Sequence, residues 1–123
     1  MNILIVDDDP DLVALARRWL ERDGHAVDHV GTGPAALEML ALDPLPDLVL
    51  LDVMLPRIDG FAVLKKIRAD ARLARLPVMI VSGVADRHQD VARAKALGVD
   101  DYIVKPLMEF HFLGRVARFA KAK

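Results

Sequence analysis

Four short apolar runs in this chain each lead directly into a polar residue. The runs are residues 3–6 before Asp7, residues 48–51 before Asp52, residues 78–81 before Ser82, and residues 102–104 before Lys105. Short apolar runs of this kind are typical of strands that are buried on both faces of a parallel sheet. Because ligands of such sheets bind outside the carboxyl ends of the strands, the pattern predicts a polar site at one edge of the sheet.

Helix-like segments separate these runs and indicate the fold class. The first begins at Asp9-Pro10, where aspartate suits a cap and proline suits the first turn, and Gly24 suits its end. Residues 26–30 alternate weakly and predict one more strand. The order is (βα)5, so right-handed crossovers place helices on both faces of the sheet. We predict an α/β fold of flavodoxin-like type, a three-layer sandwich around a five-stranded parallel sheet of order 2-1-3-4-5.

Turn residues predict the remaining boundaries along the chain. The second helix is predicted to end at Ala41, the third to follow Gly60 and run through about Ala71, the fourth to run from about Asp86 to Leu97, and the last to begin at about Met108. No linker, repeat or low-complexity tract interrupts this order. Residues 1–123 are therefore predicted to form one domain.

Composition excludes several classes of protein. A chain of 123 residues that is 54% hydrophobic and 28% charged has enough apolar material for one core. The net charge of -1 gives no general attraction to nucleic acid or to an anionic membrane. The absence of cysteine excludes disulfides, thiolate catalysis and cysteine-based zinc sites. With no apolar stretch of membrane-spanning length and no signal-peptide core, we expect a cytoplasmic protein.

The chemistry of the predicted edge follows from its residue types. Asp7, Asp8 and Asp52 are predicted to lie side by side and to repel one another unless a cation neutralises them. Mg²⁺ prefers such oxygen ligands, while Lys105 and Ser82 suit phosphate oxygens. A carboxylate in this company is equipped to attack phosphorus and form an aspartyl-phosphate. Taken singly, each residue also fits a cap or a solvated position. Their coincidence at the strand ends favours the functional interpretation.

These residues resemble the receiver domain of two-component response regulators, of the chemotaxis-regulator type. The resemblance covers essentially the whole chain. The matching segments are residues 3–10, Asp52-Val53-Met54-Leu55-Pro56 with Asp59-Gly60, Val81-Ser82-Gly83, residues 96–102, and Lys105-Pro106. Each segment alone is moderately specific, and their combination in this order makes the resemblance strong.

The resemblance implies a role for each site residue. It implies that Asp52 is the phosphoacceptor and that Asp8, Asp52 and the backbone carbonyl of Met54 ligate Mg²⁺ directly. Asp7 is implied to act on the metal mainly through a bound water. Lys105 is implied to pair with Asp52 or with a phosphoryl oxygen.

The resemblance also implies a set of switch residues. Ser82 is implied to hydrogen-bond the phosphoryl group, and Tyr102 to turn inward on activation. A cis peptide between Lys105 and Pro106 is implied to aim the lysine. Gly60 is implied to let the loop after Asp52 join its helix.

The implied function is that of a phosphorylation switch. A sensor histidine kinase or a histidine phosphotransfer protein supplies the phosphoryl group, and the new phosphate biases an existing equilibrium. The implied readout surface is the fourth helix, fifth strand and fifth helix, which binds an output domain or partner protein, or forms a homodimer. No direct nucleic-acid or membrane binding is expected of this domain. The domain catalyses part of its own phosphorylation and dephosphorylation and is not a turnover enzyme.

Two alternatives from other classes stay open. A phosphatase-type hydrolase also uses an aspartyl-phosphate, but such enzymes usually place an acidic residue where this chain has Met54. A pseudo-receiver that only binds partners is the other alternative, and the intact acidic set with Lys105 argues against it.

Two further features of the chain are interpreted mainly as structural. The last helix carries more large apolar residues than one core face can take, so most are predicted to be buried and the remainder to form a partner or dimer surface: Phe110, Phe112, Leu113, Val116 and Phe119. The histidines are scattered without metal-ligand spacing, which predicts surface roles: His25, His29, His88 and His111.

Overall fold

The computed structural model of the protein describes residues 1–55, 58–83 and 87–121, so Pro56 of the matching segments and the predicted helix start at Asp86 lie outside the described residues. Strands and helices alternate along the chain. They are β1 (Asn2–Val6), α1 (Pro10–Arg22), β2 (Ala26–Val30), α2 (Gly33–Leu40), β3 (Leu48–Leu51), α3 (Gly60–Ala69), β4 (Val78–Ser82), α4 (Arg87–Ala96), β5 (Asp101–Val104) and α5 (Glu109–Lys121).

The five strands form one parallel sheet of order β2-β1-β3-β4-β5, as the sequence predicts. In the register of the central strands, Val6 of β1 lies opposite both Val30 of β2 and Leu51 of β3. The residues that follow β1 and β3 therefore emerge side by side at the carboxyl edge.

Side-chain caps begin the helices that leave this edge. The Asp9 carboxylate accepts hydrogen bonds from two backbone amides of the first turn of α1, and Pro10 occupies the first helical position, as predicted. Thr32 caps α2 and Asp59 caps α3 in the same way. Gly24, with a φ of 89°, follows the end of α1 where the sequence predicts a stop.

Several predicted helix boundaries differ from the structure by one or two residues. Helix α2 ends at Leu40 rather than Ala41, α4 ends at Ala96 rather than Leu97, and α3 already begins at Gly60. Helix α3 ends at Ala69 because Asp70 is extended, and the Asp70 carboxylate accepts a hydrogen bond from the Arg72 amide. Helix α5 begins at Glu109, although the Met108 carbonyl already accepts the Phe112 amide at 2.8 Å.

The core lies in two apolar layers, one on each face of the sheet. Helices α2, α3 and α4 cover one face, and α1 and α5 cover the other. The result is the predicted three-layer sandwich. Within the described residues, none of the helices combines the length and the apolar character needed to cross a membrane.

Helix α5 divides its apolar residues as predicted. Phe112 and Val116 are fully buried, and Leu113 and Phe119 pack partly buried against the same layer. Phe110, by contrast, is 86% exposed on the first turn. Core packing therefore explains most of the apolar content of α5 but leaves Phe110 without such an explanation.

Candidate functional site

The sheet itself positions the polar residues at the strand ends. The Asp7 amide donates to the Val30 carbonyl at 3.2 Å and the Asp52 amide donates to the Val6 carbonyl at 2.9 Å. The Lys105 amide likewise donates to a carbonyl of β4 at 2.8 Å. The ladder therefore continues one residue past each strand, which holds these residues in a fixed backbone position.

Three carboxylates and one ammonium meet at this edge. Asp7, Asp8 and Asp52 each place one oxygen within 4.8 Å of the others. Asp7 and Asp52 are buried, at 2% and 4% exposure, whereas Asp8 is exposed. The Lys105 ammonium lies 3.1 Å from an Asp7 oxygen and 3.4 Å from an Asp52 oxygen. The predicted juxtaposition of these residues is therefore present in the structure.

Backbone amides complete the environment of the two buried carboxylates. The second Asp7 oxygen accepts the Asp9 amide at 2.9 Å, and the second Asp52 oxygen accepts the Met54 amide at 3.1 Å. Met54 is thus at the site through its amide, while its side chain is 67% exposed. The role of its carbonyl as a metal ligand stays a prediction.

Burial and charge act against each other on Asp52 and Lys105. Burial raises the pKa of Asp52, the Met54 amide opposes it, and the nearby Asp7 charge raises the pKa further. Burial by itself lowers the pKa of Lys105, but the Asp52 and Asp7 carboxylates outweigh burial, and the net shift is upward. The net shift of the Asp52 pKa is upward, and burial is its largest cause.

The donor set fits a hard divalent cation. Three carboxylate oxygens in one cluster, with Asp8 open to solvent, suit Mg²⁺, which binds through a few carboxylates and retains several waters. Asp7 already accepts two hydrogen bonds from within the chain, from the Lys105 ammonium and the Asp9 amide. Asp52 likewise accepts two, from the Lys105 ammonium and the Met54 amide, so these bonds do not rank the two buried carboxylates. The exposed Asp8 is the most accessible of the three to an ion, and direct ligation by Asp8 and Asp52 stays a prediction.

The switch residues lie on the neighbouring strands. Ser82 is fully buried at the end of β4, and Tyr102 on β5 packs against the core layer of α2, α3 and α4. Burial raises the pKa of Tyr102, and its neighbour Ser82 acts in the opposite direction. The Tyr102 hydroxyl is buried, yet it makes no hydrogen bond of good geometry within the described part of the chain. The Lys105-Pro106 peptide is cis, as the resemblance implies.

One contact at the site was not found from the sequence. His29 donates from Nε2 to the backbone carbonyl of Asp7 at 2.8 Å, although its ring is largely exposed on the edge strand. An outward-facing histidine on an edge strand is ordinarily solvated, so its position in the sequence does not indicate a contact with the Asp7 backbone. The sequence therefore predicts only a surface role for His29.

Comparison with known proteins agrees with this geometry. The family profile described as the response regulator receiver domain matches residues 3–117. The DNA-binding dual master transcriptional regulator RpaA of Synechocystis sp. is 39% identical over 115 residues, which are 94% of this chain and 47% of RpaA. The response regulator PleD of Caulobacter vibrioides is 35% identical over 99% of this chain and 26% of PleD. The chain thus spans half or less of the length of these relatives.

A solved structure gives the same result. The receiver domain of a signal transduction histidine kinase from Syntrophus aciditrophicus superposes with a TM-score of 0.89 at 32% identity, covering 98% of this chain and 90% of that domain. Fold, acidic cluster and sequence similarity therefore lead to one assignment, and the chain belongs to the response regulator receiver domain family.

Proposed function

We propose that residues 1–123 act as one receiver unit that accepts a phosphoryl group on Asp52 from the phosphohistidine of a histidine kinase or a histidine phosphotransfer protein. The observation that carries the proposal is the Asp52 carboxylate, which is buried at the carboxyl edge of β3 between the Lys105 ammonium and two further aspartates. In the transfer, an Asp52 oxygen bonds to phosphorus as the phosphorus–nitrogen bond of the donor breaks.

The residues around Asp52 each have a task in this transfer. Mg²⁺, held by Asp8, Asp52 and the Met54 carbonyl with Asp7 behind them, would supply charge compensation for the phosphoryl oxygens. Lys105 bridges two carboxylates and is partly exposed, so its ammonium can follow a phosphoryl oxygen without leaving the cluster. The Ser82 hydroxyl at the end of β4 supplies a donor on the neighbouring strand.

The readout surface that we propose consists of α4, β5 and α5. Tyr102 links it to the site, because its buried hydroxyl lies beside Ser82 while its backbone belongs to β5. The Arg115 guanidinium of α5 makes a two-pronged ion pair with the Asp101 carboxylate of β5, which couples these elements mechanically. A change at Ser82 would therefore be transmitted to a surface that a partner, an output domain or a second copy contacts.

The two competing functions have less support from the structure. A hydrolase would need an acid where Met54 stands, and that side chain is apolar and 67% exposed. A lysine within 3.4 Å of two buried carboxylates suits phosphoryl chemistry at Asp52, and its presence argues against a pseudo-receiver. We therefore propose a signalling switch that acts on itself rather than on a separate substrate.

Labelling with a small phosphodonor tests the proposal directly. Wild-type protein is incubated with acetyl phosphate and Mg²⁺, and its intact mass is measured beside Asp52→Asn and Asp28→Asn. Asp28 is an exposed aspartate of β2 outside the acidic cluster, so it is a matched control for the loss of one carboxylate. We expect one phosphoryl group on wild type and on Asp28→Asn and none on Asp52→Asn. Unlabelled wild-type protein, or equal labelling of Asp52→Asn, would refute the proposal.

A further inference from the structure

The edge strand β2 reaches the acidic cluster through one side chain. His29 Nε2 lies 2.8 Å from the backbone carbonyl oxygen of Asp7. Because a carbonyl oxygen only accepts, Nε2 carries the hydrogen, which fixes the ring in a form protonated at that nitrogen. The His29 ring is therefore the donor, either as the neutral tautomer with hydrogen on Nε2 or as the imidazolium, and the Asp7 carbonyl is the acceptor.

This contact replaces a missing bond of the sheet. The Asp7 amide donates to the Val30 carbonyl, so in a parallel ladder the Asp7 carbonyl would next accept the amide of Thr32. Strand β2 ends at Val30, however, and Thr32 instead caps α2. In the described part of the chain no backbone amide bonds to the Asp7 carbonyl. The His29 ring occupies the place of that absent amide.

The contact acts on the peptide that joins two of the clustered carboxylates. The Asp7 carbonyl belongs to the peptide plane between Asp7 and Asp8, so a bond to its oxygen sets the rotation of that plane. The Asp7 side chain has its own partners in Lys105 and the Asp9 amide. The position of the exposed Asp8 carboxylate depends more on this plane than that of Asp7 does, because the Asp8 side chain branches from the Cα that follows the peptide.

We propose that His29 is a positioning residue, which orients the Asp7-Asp8 peptide so that the Asp8 carboxylate faces the cation. The inference rests on the proposed metal site and adds β2 to the elements that build it. Hydrogen bonds behind metal ligands are known to tune affinity, and a neutral hydrogen bond contributes about 0.5–1.5 kcal/mol. That range corresponds to a roughly twofold to tenfold change in the Mg²⁺ dissociation constant.

The test is a Mg²⁺ titration of the whole chain followed by amide chemical shifts. His29→Leu removes the donor, and His29→Gln keeps an N–H donor on a side chain of similar reach. His25→Leu is the matched control, because His25 precedes β2 at its opposite end and contacts the amino terminus rather than the cluster. We expect His29→Leu to bind Mg²⁺ about fivefold more weakly, within the range of one lost hydrogen bond. His29→Gln and His25→Leu should stay within about twofold of wild type on the same scale.

The outcomes separate this inference from the proposed function. If wild type shows no saturable Mg²⁺ binding, the proposed metal site is wrong. If wild type binds and His29→Leu binds equally well, or if His29→Gln is as weak as His29→Leu, only the positioning role is wrong. Should His29→Leu fail to fold, the imidazole nitrogen shifts of wild type decide: a ring without hydrogen on Nε2 overturns the inference.

Discussion

Replacing Gly60 with alanine should disturb the phosphoacceptor through the backbone. Gly60 is the first residue of α3, and its amide donates to the Val53 carbonyl at 3.0 Å. A methyl group at this position would lie 2.2 Å from the Asp52 carbonyl oxygen and 2.6 Å from the Val53 Cα. Glycine is therefore required here by close approach, and the atoms it approaches belong to the residue that carries the chemistry.

The size of the effect follows from these distances. Non-bonded carbon and oxygen atoms need more than 3.0 Å, so the two backbones must separate by about 1 Å. Backbone atoms on both sides leave no side chain to rotate away, and overpacking of this kind costs about 1–3 kcal/mol. A misplacement of about 1 Å at a reacting group can also reduce a rate about 100-fold. We expect Gly60→Ala to lose about 2–3 kcal/mol of unfolding free energy.

A second glycine of the chain supplies the matched control. A methyl group on Gly114, in the middle of α5, would meet no atom within 4 Å. Since glycine is a poor residue for a helix interior, Gly114→Ala should stabilise the protein by about 0.5–1 kcal/mol. Urea unfolding measures both variants, and acetyl phosphate labelling followed by mass spectrometry measures the rate. The reasoning fails if Gly60→Ala matches wild type in both assays.

Three further substitutions have expected outcomes. Arg68 donates to several backbone carbonyls and to the Asp100 carboxylate, at the edge of the sheet opposite the acidic cluster. Arg68→Ala should therefore lower the free energy of unfolding, measured in urea, by about 3 kcal/mol, and a loss under about 1 kcal/mol would contradict this. The raised pKa of Lys105 means that its stabilising contribution is present below pH 10.5 and is lost as the pH rises through the folded value. The stability gap between wild type and Lys105→Met should therefore narrow above pH 10.5, and a constant gap would argue otherwise. Because Phe110 is exposed, Phe110→Ser should change the unfolding free energy by less than about 0.5 kcal/mol. The same substitution should reduce self-association of the phosphorylated form, measured by sedimentation. Unchanged association would refute the proposed role of Phe110 in a partner surface.

The sequence predicts the fold and the carboxyl-edge constellation well because both depend on one regular feature. A parallel strand buried on two faces must be apolar throughout, so its end is visible as the first polar residue. Asp7, Asp52 and Lys105 stand at such ends and meet as expected. The strand order then follows from the handedness of the crossovers rather than from any single residue.

Contacts that depend on the third dimension were not predictable in this way. His29 and Arg68 are polar residues at positions where a solvated side chain is the ordinary expectation. His29 becomes important because β2 ends at Val30, two residues before Thr32, whose amide could have bonded to the Asp7 carbonyl. Arg68 becomes important because the loops before β4 and β5 turn back towards α3. Both facts belong to the paths of loops, which hydrophobic periodicity does not describe.

The two helices of the proposed readout surface are held to the core with different strengths. Helix α5 buries the large side chains of Phe112 and Val116 completely. Helix α4 buries only the methyl group of Ala94 completely, among those of its residues whose side chains are described. The Arg93 guanidinium adds a contact 4.3 Å from the ring centre of Phe61 on α3. Because displacing a small buried surface costs less than displacing a large one, we predict that α4, rather than α5, shifts when the proposed aspartyl-phosphate forms, at a cost within the free energy of a few hydrogen bonds.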